Sequence, residues 1–214
     1  MGMMETLINA DKAITLFFND LQTPFWDWIM LFLSHKWVWV PLYLAIIASL
    51  FFKETYSQKS VTGMLYGKIA HWKTALLCLA AILLCFLLTE RVCDFIKESV
   101  CRLRPGHTPG LAQMLNLPEG AGGLHSFPSA HATNTFGLAT IVSLIIRRRW
   151  VTCTMYAWST AVAISRIYLS KHFLTDVLTG ALLGTAIAIM VFLLLKYLLS
   201  LINRNLLNKQ CSVS

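Results

Sequence analysis

"SRIYLSKHFLTDVLTGALLGTAIAIMVFLLLKYLL", residues 165–199, decides the fold of this chain. From 174 to 199 it is a long apolar helix pattern, and a helix needs roughly 17 to 25 such residues to cross a hydrocarbon core. Ahead of that helix stand Arg166, Lys171 and His172, and Asp176 lies in its first turn. Ionisable groups at a membrane segment are costly and mark a site by default.

Working outward, four more stretches have the length and character of spans: 37–53, 74–92, 131–146 and 150–168. Composition agrees, since 57% of the 214 residues are hydrophobic and 13% are charged, about half the charge of an ordinary soluble domain. The expected fold is all-α, a polytopic membrane helical bundle with about five transmembrane helices. Residues 1–36 carry apolar runs interrupted by Asp11, Asp20, Asp27 and Lys36, and read as interfacial helices, with Trp26, Trp28, Trp37 and Trp39 in the aromatic belt. A re-entrant or sixth spanning helix is the alternative for residues 24–35. No linker, charge block or internal repeat divides the chain, so a single domain, 1–214, is expected, with its transmembrane core at 37–199.

Lysines and arginines orient the bundle. Lys53, Lys59, Lys68 and Lys73 follow the first span, Arg147 to Arg149 follow the third, and Lys196, Arg204 and Lys209 lie towards the end. These alternate regions are expected on the cytoplasmic side, C-terminus included. The opposite side receives residues 93–130 and the turn 169–173, together with Lys97, Arg102, Arg104, Arg166 and Lys171. Cations held there against the positive-inside tendency point to something they bind. The net charge of +8 sits in flanks and short loops, which favours anionic lipid over nucleic acid as partner. Cys93 and Cys101 fall on the outer side within reach of pairing, without forming a disulfide framework or metal spacing.

Residues 105–128, "PGHTPGLAQMLNLPEGAGGLHSFP", hold four of the six prolines and five of the eleven glycines. This is the one long irregular segment, an extracytoplasmic loop of the kind that carries function. "KESVCRLRP", 97–105, precedes it, and "PSAH", 128–131, closes it at the mouth of the third span. His107, Glu119 and His125 are its polar residues; each reads first as a solvated loop side chain.

The topology brings three pieces to one membrane face. Lys97, Arg104 and Arg166 supply cations, Ser129 a hydroxyl and N-cap, and residues 130–132 the unpaired amides of a helix N-terminus. His172 and Asp176 are spaced i, i+4, so on a helix they share a face. Arginines grip phosphate oxygens bidentately while lysine acts as a point charge. A carboxylate-oriented imidazole is a nucleophile, and a second imidazole, His131, is a proton donor to a departing oxygen. The set suits binding and cleaving a phosphate ester. No metal is called for: two histidines and a distant aspartate lack HExxH or a carboxylate cluster, and the cations would repel a dication. A Ser129-His172-Asp176 hydrolase lacks the GxSxG elbow and leaves the cations without a use.

The three motifs, K-x6-R-P at 97–105, PSAH in place of P-S-G-H, and S-R-x5-H-x3-D at 165–176, resemble in order and spacing the type 2 phosphatidic acid phosphatase superfamily, which includes vanadium haloperoxidases and the glucose-6-phosphatase catalytic subunit. The resemblance implies a helical membrane phosphatase that uses no cofactor or metal. It implies that His172 attacks phosphorus to form a phosphohistidine, that Asp176 orients it, and that His131 protonates the leaving group and then activates water. Lys97, Arg104, Ser129, Arg166 and the amide of Ala130 would bind phosphate. Ala130 departs from the family's usual glycine; it keeps the donor but disfavours positive φ. The substrate class is then a lipid phosphomonoester or pyrophosphate at the outer face of a bacterial inner membrane, facing the periplasm: lipid A phosphate, undecaprenyl pyrophosphate, phosphatidylglycerol phosphate or phosphatidic acid. A phosphate-binding transporter or assembly subunit is the alternative, but binding alone needs neither His172 nor Asp176.

Overall fold

The computed structural model describes residues 2–52 and 71–211; Lys53, Lys59 and Lys68 lie outside them, as does the side chain of Lys209. Among the described residues seven α-helices follow in order: α1 (Met3–Asp20), α2 (Pro24–Ser34), α3 (Val40–Ser49), α4 (His71–Val100), α5 (Ala130–Ile146), α6 (Arg149–Tyr168) and α7 (Leu174–Cys211). Among the described residues the only strand-like pairing is an isolated bridge between Leu103 and His125. The architecture is that of an all-helical bundle.

Local chemistry sets the helix starts. Pro24 takes the first position of α2, where its missing N–H costs nothing, and the Thr23 hydroxyl accepts from the Trp26 amide. Ser129 caps α5 in the same way through the Ala132 amide. Among the described residues two helices, α4 and residues Leu174–Ile202 of α7, are long and apolar enough to cross a bilayer. The stretch expected as a first span at 37–53 differs. Its α-helix covers only Val40–Ser49, about 15 Å at 1.5 Å per residue, roughly half a hydrocarbon core. It is joined to α2 across a 62° bend, so the two together make a broken span or a re-entrant loop. The physical break is His35, whose extended backbone ends α2.

Side chains are distributed as a lipid solvent requires. Leu182 of α7 and Phe95 of α4 are 73% and 71% exposed. The interior between helices is small and partly polar. Thr140 and Tyr156 share a 2.8 Å hydrogen bond, and the Ser159 hydroxyl donates to the Thr135 carbonyl at 2.9 Å, tying α5 to α6. α5 is the central helix, in contact with α4, α6 and α7. It meets α7 at the glycines of "GALLG": a Cβ at Gly184 would stand 2.0 Å from the Thr133 carbonyl oxygen, and one at Gly180 would stand 2.6 Å from that of Ser129. Only glycine permits this approach.

Two of the interrupting acids of the N-terminal helices, Asp11 and Asp27, are attachments. Asp11 is 3% exposed and accepts the Thr175 amide of α7 at 3.1 Å, while Asp27 accepts the Tyr168 hydroxyl of α6 at 2.8 Å. α1 also reaches the long loop, because the Asn19 side chain exchanges two hydrogen bonds with the Asn116 backbone at 2.7 and 3.0 Å. Cys93 and Cys101 are free thiols, the first set against the Pro128 carbonyl.

Candidate active site

The turn between α6 and α7 folds back on itself, and both the Lys171 and His172 amides donate to the Arg166 carbonyl, at 3.0 and 3.3 Å. This places His172 beneath the α6 terminus and outside any helix, so the i, i+4 pairing with Asp176 is made from the turn into the first turn of α7. His172 Nδ1 stands 3.8 Å from Asp176 Oδ2, an ion-pair separation, and is buried with no hydrogen-bond partner among the described residues. Burial pushes the imidazole down to about 4; the Asp176 carboxylate works the other way, and Arg166 and Arg104 add to the lowering. The ring is therefore neutral at ordinary pH.

Asp176 is fully buried. Its backbone carbonyl accepts the Ser129 amide at 3.0 Å, which locks the start of α5 against the start of α7. Ser129 is itself buried, and its carbonyl accepts the Thr133 hydroxyl at 2.9 Å. Ala130 opens α5 without a positive φ, so its methyl group is accommodated while its amide stays among the unpaired donors of the first turn. His131 follows, next to the Ser34 backbone and within electrostatic reach of Arg166, His172 and Arg104.

Arg166 is buried at the end of α6, with Nη1 donating to the Ser34 hydroxyl at the end of α2 and Nε lacking any hydrogen-bond partner among the described residues. Lys97 lies half-buried in the last turn of α4, one turn beyond Cys93, whose thiol meets the Pro128 carbonyl. Arg104 stands where the two ends of the loop pair: its amide donates to the Leu124 carbonyl at 3.0 Å and its Nε to that of His125 at 3.2 Å. Burial lowers the Arg104 pKa, with Glu119 and Asp176 opposing. The structure thus brings Arg104, Ser129, Ala130, His131, Arg166, His172 and Asp176 together, and among the described residues Lys97 is linked to them only through Cys93, whose thiol meets the carbonyl of Pro128 next to Ser129.

Four participants were not singled out as part of this site. Glu119 is exposed on the loop yet engaged; its Oε2 stands 3.6 Å from Arg166 and 3.4 Å from Lys171. Lys171 is buried and donates to the Glu119 and Gly120 carbonyls at 2.9 and 2.7 Å. Its pKa is lowered by burial against the pull of Glu119. Gly122, at φ +74°, lets the loop pass the Arg104 guanidinium, which a Cβ would approach to 2.6 Å. Ser34 is the fourth. Its only signal in the sequence is a polar residue closing an apolar helix.

A neutral buried histidine beside a carboxylate, with two guanidiniums, a second histidine and the amides of a helix N-terminus close by, makes a cationic cluster chemically suited to an anion inside a membrane-type helical bundle. Residues 74–200 match the PAP2 superfamily, and the chain belongs to it. It is 34% identical over 185 residues to a lipid A 4'-phosphatase of Bacteroides thetaiotaomicron, covering 85% of this chain and 75% of that protein. A lipid A 4'-phosphatase of Porphyromonas gingivalis is 30% identical over 191 residues, covering 88% and 74%. In fold the chain is similar to a PAP2-type phosphatidylglycerolphosphate phosphatase from Bacillus subtilis, with TM-score 0.63, 24% identity and coverage of 87% and 84%. It is similar also to Aquifex aeolicus LpxE, with TM-score 0.61, 20% identity and coverage of 84% and 93%.

Proposed function

We propose that this membrane lipid phosphatase removes a phosphate from lipid A through a phosphohistidine on His172. The lipid phosphatase class rests on family membership and on the two relatives named lipid A 4'-phosphatase. The observation that carries the mechanism is the neutral His172 held between Asp176 and the cations Arg166 and Arg104.

Arg104, Arg166 and Lys97 hold the phosphoryl oxygens with the Ala130 amide and Ser129, neutralising charge that grows in the transition state. His172 attacks phosphorus through Nε2 while Nδ1–H turns to Asp176 Oδ2, and the bond to the lipid oxygen breaks as His131 gives that oxygen its proton. His131 then takes a proton from water, the water oxygen attacks phosphorus, and the phosphorus–nitrogen bond breaks to free His172 and inorganic phosphate. No step calls on a metal or cofactor, so excess chelator is expected to leave turnover unchanged.

The bundle is read as one membrane-embedded unit of five crossings, with α2 and α3 forming one broken span and α4 to α7 the other four. The site would face the periplasm from a bacterial inner membrane, with the C-terminus cytoplasmic, in keeping with the lysines and arginines at the far helix ends. His172→Ala is expected to abolish phosphate release from lipid A in detergent while the protein stays monodisperse. Appreciable release from that variant overturns the mechanism. Release from undecaprenyl pyrophosphate, phosphatidylglycerol phosphate or phosphatidic acid in preference to lipid A overturns the substrate.

A further inference from the structure

Arg102 lies inside the K-x6-R-P stretch at a position that motif leaves open, and it is the most heavily engaged side chain near the site. Nη1 donates to Asp176 Oδ1 at 2.6 Å and to the Thr175 hydroxyl at 2.7 Å. Nη2 donates to Asp11 Oδ2 at 2.7 Å. The guanidinium carbon lies 4.3 Å over the Phe173 ring, a cation–π distance. Asp11 is itself fixed to α7 from both oxygens, by the Thr175 amide at 3.1 Å and by the Thr175 hydroxyl.

One guanidinium is therefore shared between two buried carboxylates, one from α1 and one from α7. With both ends of its fork occupied, Arg102 is not free to grip phosphate as Arg104 and Arg166 are. What it does control is Asp176. The terminal torsion of an aspartate is broad and two-fold, so an untethered carboxylate can turn away from its neighbour. Here Oδ1 is pinned by Arg102 and Oδ2 accepts the Phe173 amide at 2.9 Å. Oδ2 is then left facing His172 Nδ1. A carboxylate taken fully out of water also needs an opposite charge beside it, and Arg102 supplies it.

We propose that Arg102, braced by Asp11 of α1, is a positioning residue that fixes the Asp176 carboxylate with Oδ2 towards His172. A purely architectural ion pair between α1 and the loop would need Asp11 and Arg102 but no bond to Asp176. The proposal rests on the reading of His172 as nucleophile and Asp176 as its orienter.

The test uses the full-length protein in detergent, on the lipid phosphomonoester that the wild type turns over best. Arg102→Met is expected to lower kcat about ten-fold or more with KM within about three-fold, because the phosphate-gripping side chains are untouched. Arg102→Lys restores part of kcat, and Asp11→Asn lowers it in the same sense but by less. In an Asp176→Asn background, adding Arg102→Met costs nothing further, since residues acting through one group are non-additive. If Arg102→Met does not purify as a monodisperse protein, Arg102→Lys and Asp11→Asn, alone and on Asp176→Asn, carry the same test. A wild-type kcat in these variants, a loss confined to KM, or losses that multiply with Asp176→Asn overturns the proposal. A wild-type kcat in Asp176→Asn itself overturns the reading of the site together with the proposal; an impaired Asp176→Asn beside an unimpaired Arg102→Met overturns the proposal alone.

Discussion

Glu119 holds its Oε2 3.6 Å from the Nη1 of Arg166. A loop carboxylate thus stands on a cation that the proposed mechanism gives to phosphate, and it engages Lys171 at the same time. On that reading, substrate binding displaces it. Glu119→Gln keeps the backbone bonds from Lys171 and removes only the competing charge. Because the Glu119 side chain is 40% exposed, the gain is modest; KM is expected to fall about three-fold with kcat within about two-fold. Steady-state phosphate release measures both, and a rise in KM would mean that Glu119 assists binding.

The lowered His172 pKa fixes the sign of an acid limb. Its folded value of about 4 lies below the ordinary 6.5, so the imidazole stays unprotonated and nucleophilic until pH falls below about 5. Between those two values the unfolded chain binds a proton that the folded one refuses, so stability also declines as pH falls through that window. The single-turnover phosphorylation rate is expected to hold level through pH 6.5 and to drop only below about pH 5. Of the groups facing His172, Arg166 from α6 and Arg104 from the loop lower its pKa and Asp176 raises it, while His131 faces it from α5. Arg166→Gln should therefore move the limb to higher pH and Asp176→Asn to lower pH, each at reduced rate.

Gly184→Ala tests the closeness of α5 and α7. The added Cβ meets backbone, the Thr133 carbonyl, at 2.0 Å, which no rotamer change relieves. Overpacking of this kind costs about 1–3 kcal/mol, and separating the helices also separates Ser129 from Asp176. A lower Tm in detergent and a kcat reduced about ten-fold are expected. Gly137→Ala, whose Cβ meets a Thr89 methyl at 3.1 Å, should be milder in both measurements.

Arg166→Lys separates charge from geometry. The guanidinium reaches the Ser34 hydroxyl with Nη1 and keeps Nε for another acceptor, whereas an ammonium offers one point charge. A loss of about 100-fold in kcat/KM is expected although the net charge is unchanged. Full activity in the lysine variant would show that charge alone suffices at this position.

The helices α5, α6 and the start of α7 were legible because each is an apolar run closed by local signals: Ser129 before α5, the arginines 147–149 before α6, and the polar turn 169–173 before α7. The residues that the structure gathers around His172 could be picked out for the same reason, since their spacing within each motif is local. What was not legible depends on partners far apart in sequence. Asp11 reads as an interruption in an amphipathic helix, and nothing nearby reveals its bond to Arg102, 91 positions away, or to Thr175, 164 away. Glu119 reads as a solvated loop side chain because the cations it meets lie some fifty positions on, Arg166 at the end of α6 and Lys171 in the turn after it. The 37–53 stretch carries enough apolar residues for a span, but hydropathy does not register the extended backbone at His35 that bends the chain.

The brace between α1 and α7 also makes α1 a remote point of control. A change that loosens α1, at Asp11 or at the Asn19 contact with Asn116, is expected to free the Arg102 fork and with it the Asp176 carboxylate, without touching any residue that the proposed mechanism brings to phosphorus.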